Sequence, residues 1–434
     1  MIWSGAIFGK QKKTVMPGIE VITAWDKKDE DFYAPGALIR VRGGRGLLRE
    51  RFSEEANPAV YDTLMFGEIP LLQFQGGEYF CPTCEKIVRS GYGLKPGMFH
   101  AGMLNCENVS FDNALREIVP VLGLLRDHYY VILDTKLYPT DGNGHLFWTV
   151  PDSGQPMPGS CLYYIGDGEW GKLRPYFTIA TQPIDYLNRE RVEYYRTHPS
   201  CRAIAYYMDG YMTALIDGHH KAMAAAYEHR QVNALVIMPV YRIRQHRENG
   251  EFCDYLSAGD LSFSCREYGI DAAKPETVAE QTAVEKASPI EMKRINKRMS
   301  DQKTTPLQEY DELAAYYPNV EEVANIDAAG EITDERLDRI LSNQHICDAA
   351  EICKLIRAMG VLHHKRLFEI GNFFLQRCSY TMLPRHYDPE LFEVILSEMM
   401  KLERSEALEN YLIDFMVKWE TDYPAMGEKI LRYL

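Results

Sequence analysis

Residues Tyr207 to Tyr227 read Tyr-Met-Asp-Gly-Tyr-Met-Thr-Ala-Leu-Ile-Asp-Gly-His-His-Lys-Ala-Met-Ala-Ala-Ala-Tyr, and the rest of the chain is best read outward from them. Asp209-Gly210 lies between two apolar runs, the pattern of a two-residue hairpin turn, since glycine enters positive φ at no steric cost. The hairpin joins predicted strands at 203–208 and 211–216. Asp217-Gly218 is a second tight turn, and the alanine-rich run after it predicts a helix over 219–229. Small residues at 222, 224, 225 and 226 let that helix lie close to a sheet. Gly218 leaves room for a ligand to approach the backbone. The first amides of the helix have no intrahelical acceptor and carry the positive end of its dipole. Lys221 adds a point charge, and His219 and His220 add donors. Residues 217–221 are therefore a candidate anion site. The plainer alternative is a hairpin packed on a helix, with the polar turn merely solvated.

The flanks support a strand-and-helix unit around this run. Strands are predicted at 161–165 and 175–179, joined through Gly166, Gly168 and Gly171, and a helix over 189–198 is stopped by Pro199. A final apolar strand covers 232–241. Further upstream, Asp112 can cap a helix reaching about residue 126. Strands at 130–137 and 145–150 would flank the turn Asp141-Gly142-Asn143-Gly144. Residues 1–110, with many glycines, prolines and short apolar runs, read as strands and loops. Residues 271–306 are polar and read as a linker that is partly helical. Beyond them helical patterns follow one another at 307–317, 333–343, 345–359, 361–377, 388–402 and 404–419. The fold class expected is α+β. It divides into a β-rich amino-terminal region (1–110), a central unit (111–270), the linker (271–306) and an all-α carboxy-terminal domain (307–434).

Ile216 to Ala222, with the strand before them and the apolar strand after, resemble the ParB/sulfiredoxin superfamily over roughly residues 174–240. The similarity is greatest to its free-serine-kinase-like branch, whose signature is Asp-Gly-His-His-Arg. Here Lys221 stands in place of the arginine, keeping the charge but losing the bidentate fork. The resemblance implies ATP or another nucleotide, with magnesium, held by Gly218, His219, His220 and Lys221. It also implies phosphoryl transfer to a small hydroxyl-bearing metabolite, or nucleotide hydrolysis. Asp217 would help to place the metal or the acceptor. In that branch a glutamate after the first strand acts near the acceptor hydroxyl, and Asp185 and Glu190 are the carboxylates nearest that position. Sulfiredoxins carry a cysteine in the turn where this chain has His219, which argues against sulfinic-acid repair.

Composition narrows the alternatives. The chain has 434 residues, is 46% hydrophobic and 25% charged, and carries a net charge of −14. From Asp301 onward 14 basic residues face 25 acidic ones, so the helical tail holds most of that excess. DNA binding needs a cationic surface, so nucleic acid is an unfavoured partner. No apolar run approaches the roughly 18 residues of a membrane span, and no secretory leader is recognised, so a cytoplasmic protein is expected. Cys81 and Cys84 are spaced like a zinc knuckle, and His100 and Cys106 are the nearest residues to complete a zinc site; buried free thiols are the alternative. The rival functional reading is a non-catalytic ParB-like scaffold or sensor, with the acidic helical tail holding a protein partner.

Overall fold

A computed structural model of the chain describes residues 18–26, 32–54, 59–77, 86–90, 102–149, 164–166, 169–170, 174–246, 251–271, 284–300, 310–342, 348–379, 389–419 and 424–434. The architecture is mixed α+β and divides into two units, residues 1–164 with 172–320, and residues 165–171 with 321–434. No helix among the described residues is long and apolar enough to cross a membrane.

The first unit begins with strands β1 (Ile19–Trp25), β2 (Gly36–Val41), β3 (Leu48–Glu54), β4 (Ala59–Phe66), β5 (Ile69–Gly77) and β6 (Lys86–Ser90). Helices α1 (Phe111–Glu117) and α2 (Val119–Leu122) precede strand β7 (Tyr129–Leu137). Two short strands, β8 (Tyr164–Gly166) and β9 (Glu169–Trp170), pair with each other and, apart from Tyr164, belong to the second unit. Then come β10 (Phe177–Ala180), α3 (Arg189–Arg196), β11 (Ala203–Asp209), β12 (Met212–Asp217), α4 (His219–Tyr227) and β13 (Val232–Pro239). The strands β14 (Tyr241–His246), β15 (Phe252–Ala258) and β16 (Leu261–Ser264) form an antiparallel meander. A short β17 (Glu285–Lys286) and helices α5 (Pro289–Ser300) and α6 (Asp311–Ala314) follow.

The central sheet runs β1-β2-β7-β13-β11-β12-β10. Thus β1 and β2, from the amino-terminal stretch, extend the same sheet as the hairpin β11–β12. Strand β10 pairs in parallel with β12, aligning Phe177 with Met212 and Ala180 with Leu215. Just past β7, Tyr138 also bonds to β10, accepting from Thr178 N–H at 3.1 Å and donating to Tyr176 O at 2.7 Å. The sheet therefore curls, so that β10 at its edge meets the continuation of β7. One face buries Leu133, Val236, Ala205 and Leu215 with the alanines of α4. Residues His219 to Ala226 are all buried, so α4 is enclosed on every side rather than amphipathic.

Three local expectations are revised. The helix expected from Asp112 to about residue 126 breaks into α1 and α2, because Pro120 has no N–H to continue the ladder and the chain restarts from the Ile118 carbonyl. Its cap is Ser110, whose Oγ accepts from Asn113 N–H at 3.4 Å, not Asp112. The described part of 145–150 forms no strand beyond a single bridge at Leu146. There Asp141 Oδ1 accepts the N–H groups of Asn143 (2.8 Å) and His145 (3.0 Å) and winds the segment into a turn. Within 271–306, β17 joins β3 in parallel, and Glu285 pairs with both Arg51 and Arg126. Those ion pairs give a polar segment a place in the fold that hydrophobicity does not signal.

The second unit is helical: α7 (Val320–Ala329), α8 (Asp334–Leu341), α9 (Ala349–Val361), α10 (Leu367–Ser379), α11 (Pro389–Met399), α12 (Glu406–Trp419) and α13 (Pro424–Tyr433). Thr333 and Asp348 cap α8 and α9, accepting from Arg336 N–H and Glu351 N–H at 3.2 and 2.8 Å. Leu337, Ile356, Leu367, Ile395, Leu412 and Ile430 share one core. Helices α7 and α13 lie outside the expected set: the first is alanine-rich, and the second buries only Met426, Gly427 and Ile430.

Candidate functional site

The turn at 217–221 forms as its sequence dictates. Gly218 sits at φ +100°, and a Cβ there would lie 2.6 Å from the Cβ of Ala203. Only glycine serves at that point, for both backbone and packing reasons. Gly218 also caps α4 without a side chain, and the first intrahelical bond is Ala222 N–H to Gly218 O at 2.9 Å. The N–H groups of His219, His220 and Lys221 therefore open the helix with no side-chain acceptor.

The side chains of the motif face inward. His219 is fully buried, and its Nε2 accepts the Thr181 N–H at 3.1 Å, which leaves the ring proton on Nδ1. Burial, with a smaller contribution from His220, lowers its pKa to about 3, so it is neutral at physiological pH. His220 Nε2 lies 3.0 Å from Asn188 N and 3.2 Å from Tyr186 O. It accepts from the amide when unprotonated and can donate to the carbonyl only when it carries a proton there. Burial, then the Arg191 guanidinium, pushes the His220 pKa down. Trp148 stands against both rings, with centroids at 5.5 and 5.6 Å, and its indole N–H donates to Gln182 O at 2.7 Å.

Lys221 is 3% exposed, and its Nζ donates to the carbonyls of Arg202 (2.6 Å) and Leu104 (3.3 Å). Asp217 Oδ2 lies 4.0 Å away, and the Tyr195 ring centroid is at 5.5 Å. Burial lowers the ammonium pKa, while Asp217 opposes the shift. Lys221 thus ties the start of β11 to the segment before α1. Arg202 extends the tie with a two-toothed pair to Asp134 on β7, at 2.7 and 2.8 Å.

The remaining sequence candidates are distributed as follows. Asp217 ends β12 and is partly exposed. Asp185, in a short 3-10 turn, and Glu190, in the first turn of α3, face solvent and make no hydrogen bond or ion pair with the turn among the described residues. Cys81, Cys84 and His100 lie outside the described residues. Cys106 is exposed and forms no disulfide among the described residues, and no group of His, Cys, Asp and Glu among them is arranged to hold a metal ion. Two residues that the sequence does not mark stand at the turn. Trp148 is separated from it by some seventy positions in the chain. Arg191, exposed on α3, is close enough to lower the pKa of both His220 and Lys221, and it hydrogen-bonds Tyr195. Its position one residue after Glu190 carries no spacing signal of its own.

Searched against protein-family models, curated proteins and solved structures, the chain matches none of them.

Proposed function

We propose that this protein binds a nucleotide through its phosphates at the amino end of α4, and that it acts as a nucleotide-dependent phosphotransferase on a small hydroxyl-bearing metabolite or as a nucleotide hydrolase. The observation that carries the reading is the start of α4, which no side chain caps. It combines a left-handed glycine, first-turn amides without a side-chain acceptor and the positive end of the helix dipole. In this reading the amides of 219–221 hold the phosphates and Arg191 is the cation that meets them from solvent. Asp217 would hold the magnesium, whose charge would offset that of the phosphates. His219, His220 and Lys221 contribute by fixing the turn from behind, since their polar atoms already bond to the backbone. Asp185 or Glu190 would reach the acceptor only if substrate brings their segment inward.

A second reading, a non-catalytic nucleotide sensor or scaffold with the tail as docking element, is favoured by one observation. Ile413 and Val417, one turn apart on α12, are 48% and 82% exposed. Calorimetric titration of ATP, ADP and CTP with magnesium into wild type and Arg191→Ala separates these outcomes. Arg191→Ala should weaken binding by roughly 1.5–3 kcal/mol, the range for a hydrogen bond to a charged group. Nucleotide binding without turnover selects the sensor. Silence with all three nucleotides removes the basis of the enzyme and of the sensor and leaves the scaffold with its docking tail in their place.

A further inference from the structure

The opposite stripe of α3 carries a different kind of site. A cavity of about 380 Å³ lies between α3, the carboxyl end of α4 and the segment around α6. Its volume falls in the range of small-molecule sites, roughly 300–1,000 Å³. Val192 and Leu313 form its apolar wall, and the rings of Tyr227 and Tyr310 line it as well. Its charges do not cancel one another internally in a uniform way. Arg196 is satisfied, since Nε bonds Glu228 at 2.5 Å and Nη1 bonds Glu193 at 2.9 Å. Arg189 and Glu312 also line the cavity, and among the described residues neither makes a hydrogen bond or ion pair. A lining that is apolar and aromatic and also carries a cation and an anion that are unpaired among the described residues has a definite complement. We propose that this cavity binds a small zwitterion bearing a large apolar side group, of the kind represented by an aromatic or branched free amino acid. Its carboxylate would pair with Arg189, its ammonium with Glu312, and its side group would lie on Val192, Leu313 and the two tyrosines.

The proposal does not depend on nucleotide binding. Calorimetric titration of the full chain with L-phenylalanine, 3-phenylpropionate and 2-phenylethylamine tests it. L-Phenylalanine should bind, and each analogue lacking one charge should bind roughly tenfold or more weakly, the loss of one charged hydrogen bond. Arg189→Gln should remove the preference for L-phenylalanine over 2-phenylethylamine. Glu312→Gln should remove the preference over 3-phenylpropionate. Both residues are on the surface, so circular dichroism should show both variants folded, and magnesium–ATP heats should be the same in both as in wild type. The proposal is overturned if no heat accompanies L-phenylalanine, if all three compounds bind alike, or if the two variants discriminate as wild type does.

Discussion

At the scale of single residues, the motif at 217–221 acts first as a structural lock. Gly218→Ala should destabilise the first unit by about 2–4 kcal/mol, combining a left-handed alanine with the overpacking of Ala203. A urea melt that leaves the variant within experimental error of wild type would count against the packing argument. His219 gives a pH signature. Unfolded, it titrates near 6.5; folded, only at about 3. Between those values the unfolded chain takes up a proton that the folded chain refuses. The stability this group supports is complete above pH 6.5 and is lost as the pH falls toward 3, by about 1.4 kcal/mol per unit. His219→Gln can still accept the Thr181 N–H through its amide oxygen. Its stability should therefore fall less steeply with acid than that of wild type, which denaturant titrations at several pH values would reveal. Lys221→Met should cost about 1–3 kcal/mol by removing the Nζ donor to the Arg202 carbonyl, while the Leu104 carbonyl keeps the Arg202 N–H at 3.1 Å.

At the scale of elements, helix crossings depend on particular small residues. Gly360 on α9 faces Glu398 on α11 so closely that a Cβ would meet the Glu398 carboxylate at 2.0 Å. Glu398 is itself buried: Oε1 is held by Lys401 at 2.8 Å, while Oε2 has no hydrogen-bond partner among the described residues. Gly360→Ala should therefore destabilise the helical unit by about 1–3 kcal/mol by displacing the Glu398 carboxylate from its buried place beside α9. Combining it with Glu398→Ala should recover part of that loss, because the second change removes the atoms the new methyl strikes. A double-mutant cycle by chemical denaturation measures the coupling, and strictly additive effects would refute the contact as the cause. The same scale explains why the helix expected across 112–126 divides: a proline about two turns into the expected element outweighs the apolar periodicity around it.

At the scale of the whole molecule, polar segments far apart in the chain are drawn together by charge. Glu285 meets Arg51 and Arg126, with side-chain exposures of 28%, 15% and 22%. Glu285→Ala should remove the carboxylate that the two guanidinium groups share, with Arg51 keeping Glu291 at 3.2 Å, and lower the stability of the first unit by about 1 kcal/mol, weakly dependent on salt. The two units each carry their own apolar core. Scanning calorimetry should consequently show a transition whose calorimetric enthalpy exceeds its van't Hoff enthalpy, and equality of the two would mean that the units unfold as one.

The local elements around the turn were legible in the sequence because their causes are local. Asp209-Gly210 forces a hairpin, Gly218 forces a left-handed turn, and a run of alanines follows as a helix. The mixed α+β class and the helical character of the tail follow from periodicities of two and 3.6 residues that need no tertiary knowledge. The tertiary structure alone decided which way the motif faces. Lys221 reads as a surface cation, yet it is buried against the carbonyls of Leu104 and Arg202, the first of them more than a hundred positions away. Trp148 and Arg191 come to the turn by the same route, through the curl of the sheet and the docking of α3 on α4. Hydrogen-bond partners of this kind are set by the three-dimensional path of the chain, because a buried donor takes the nearest free acceptor in space and sequence distance has no bearing on it.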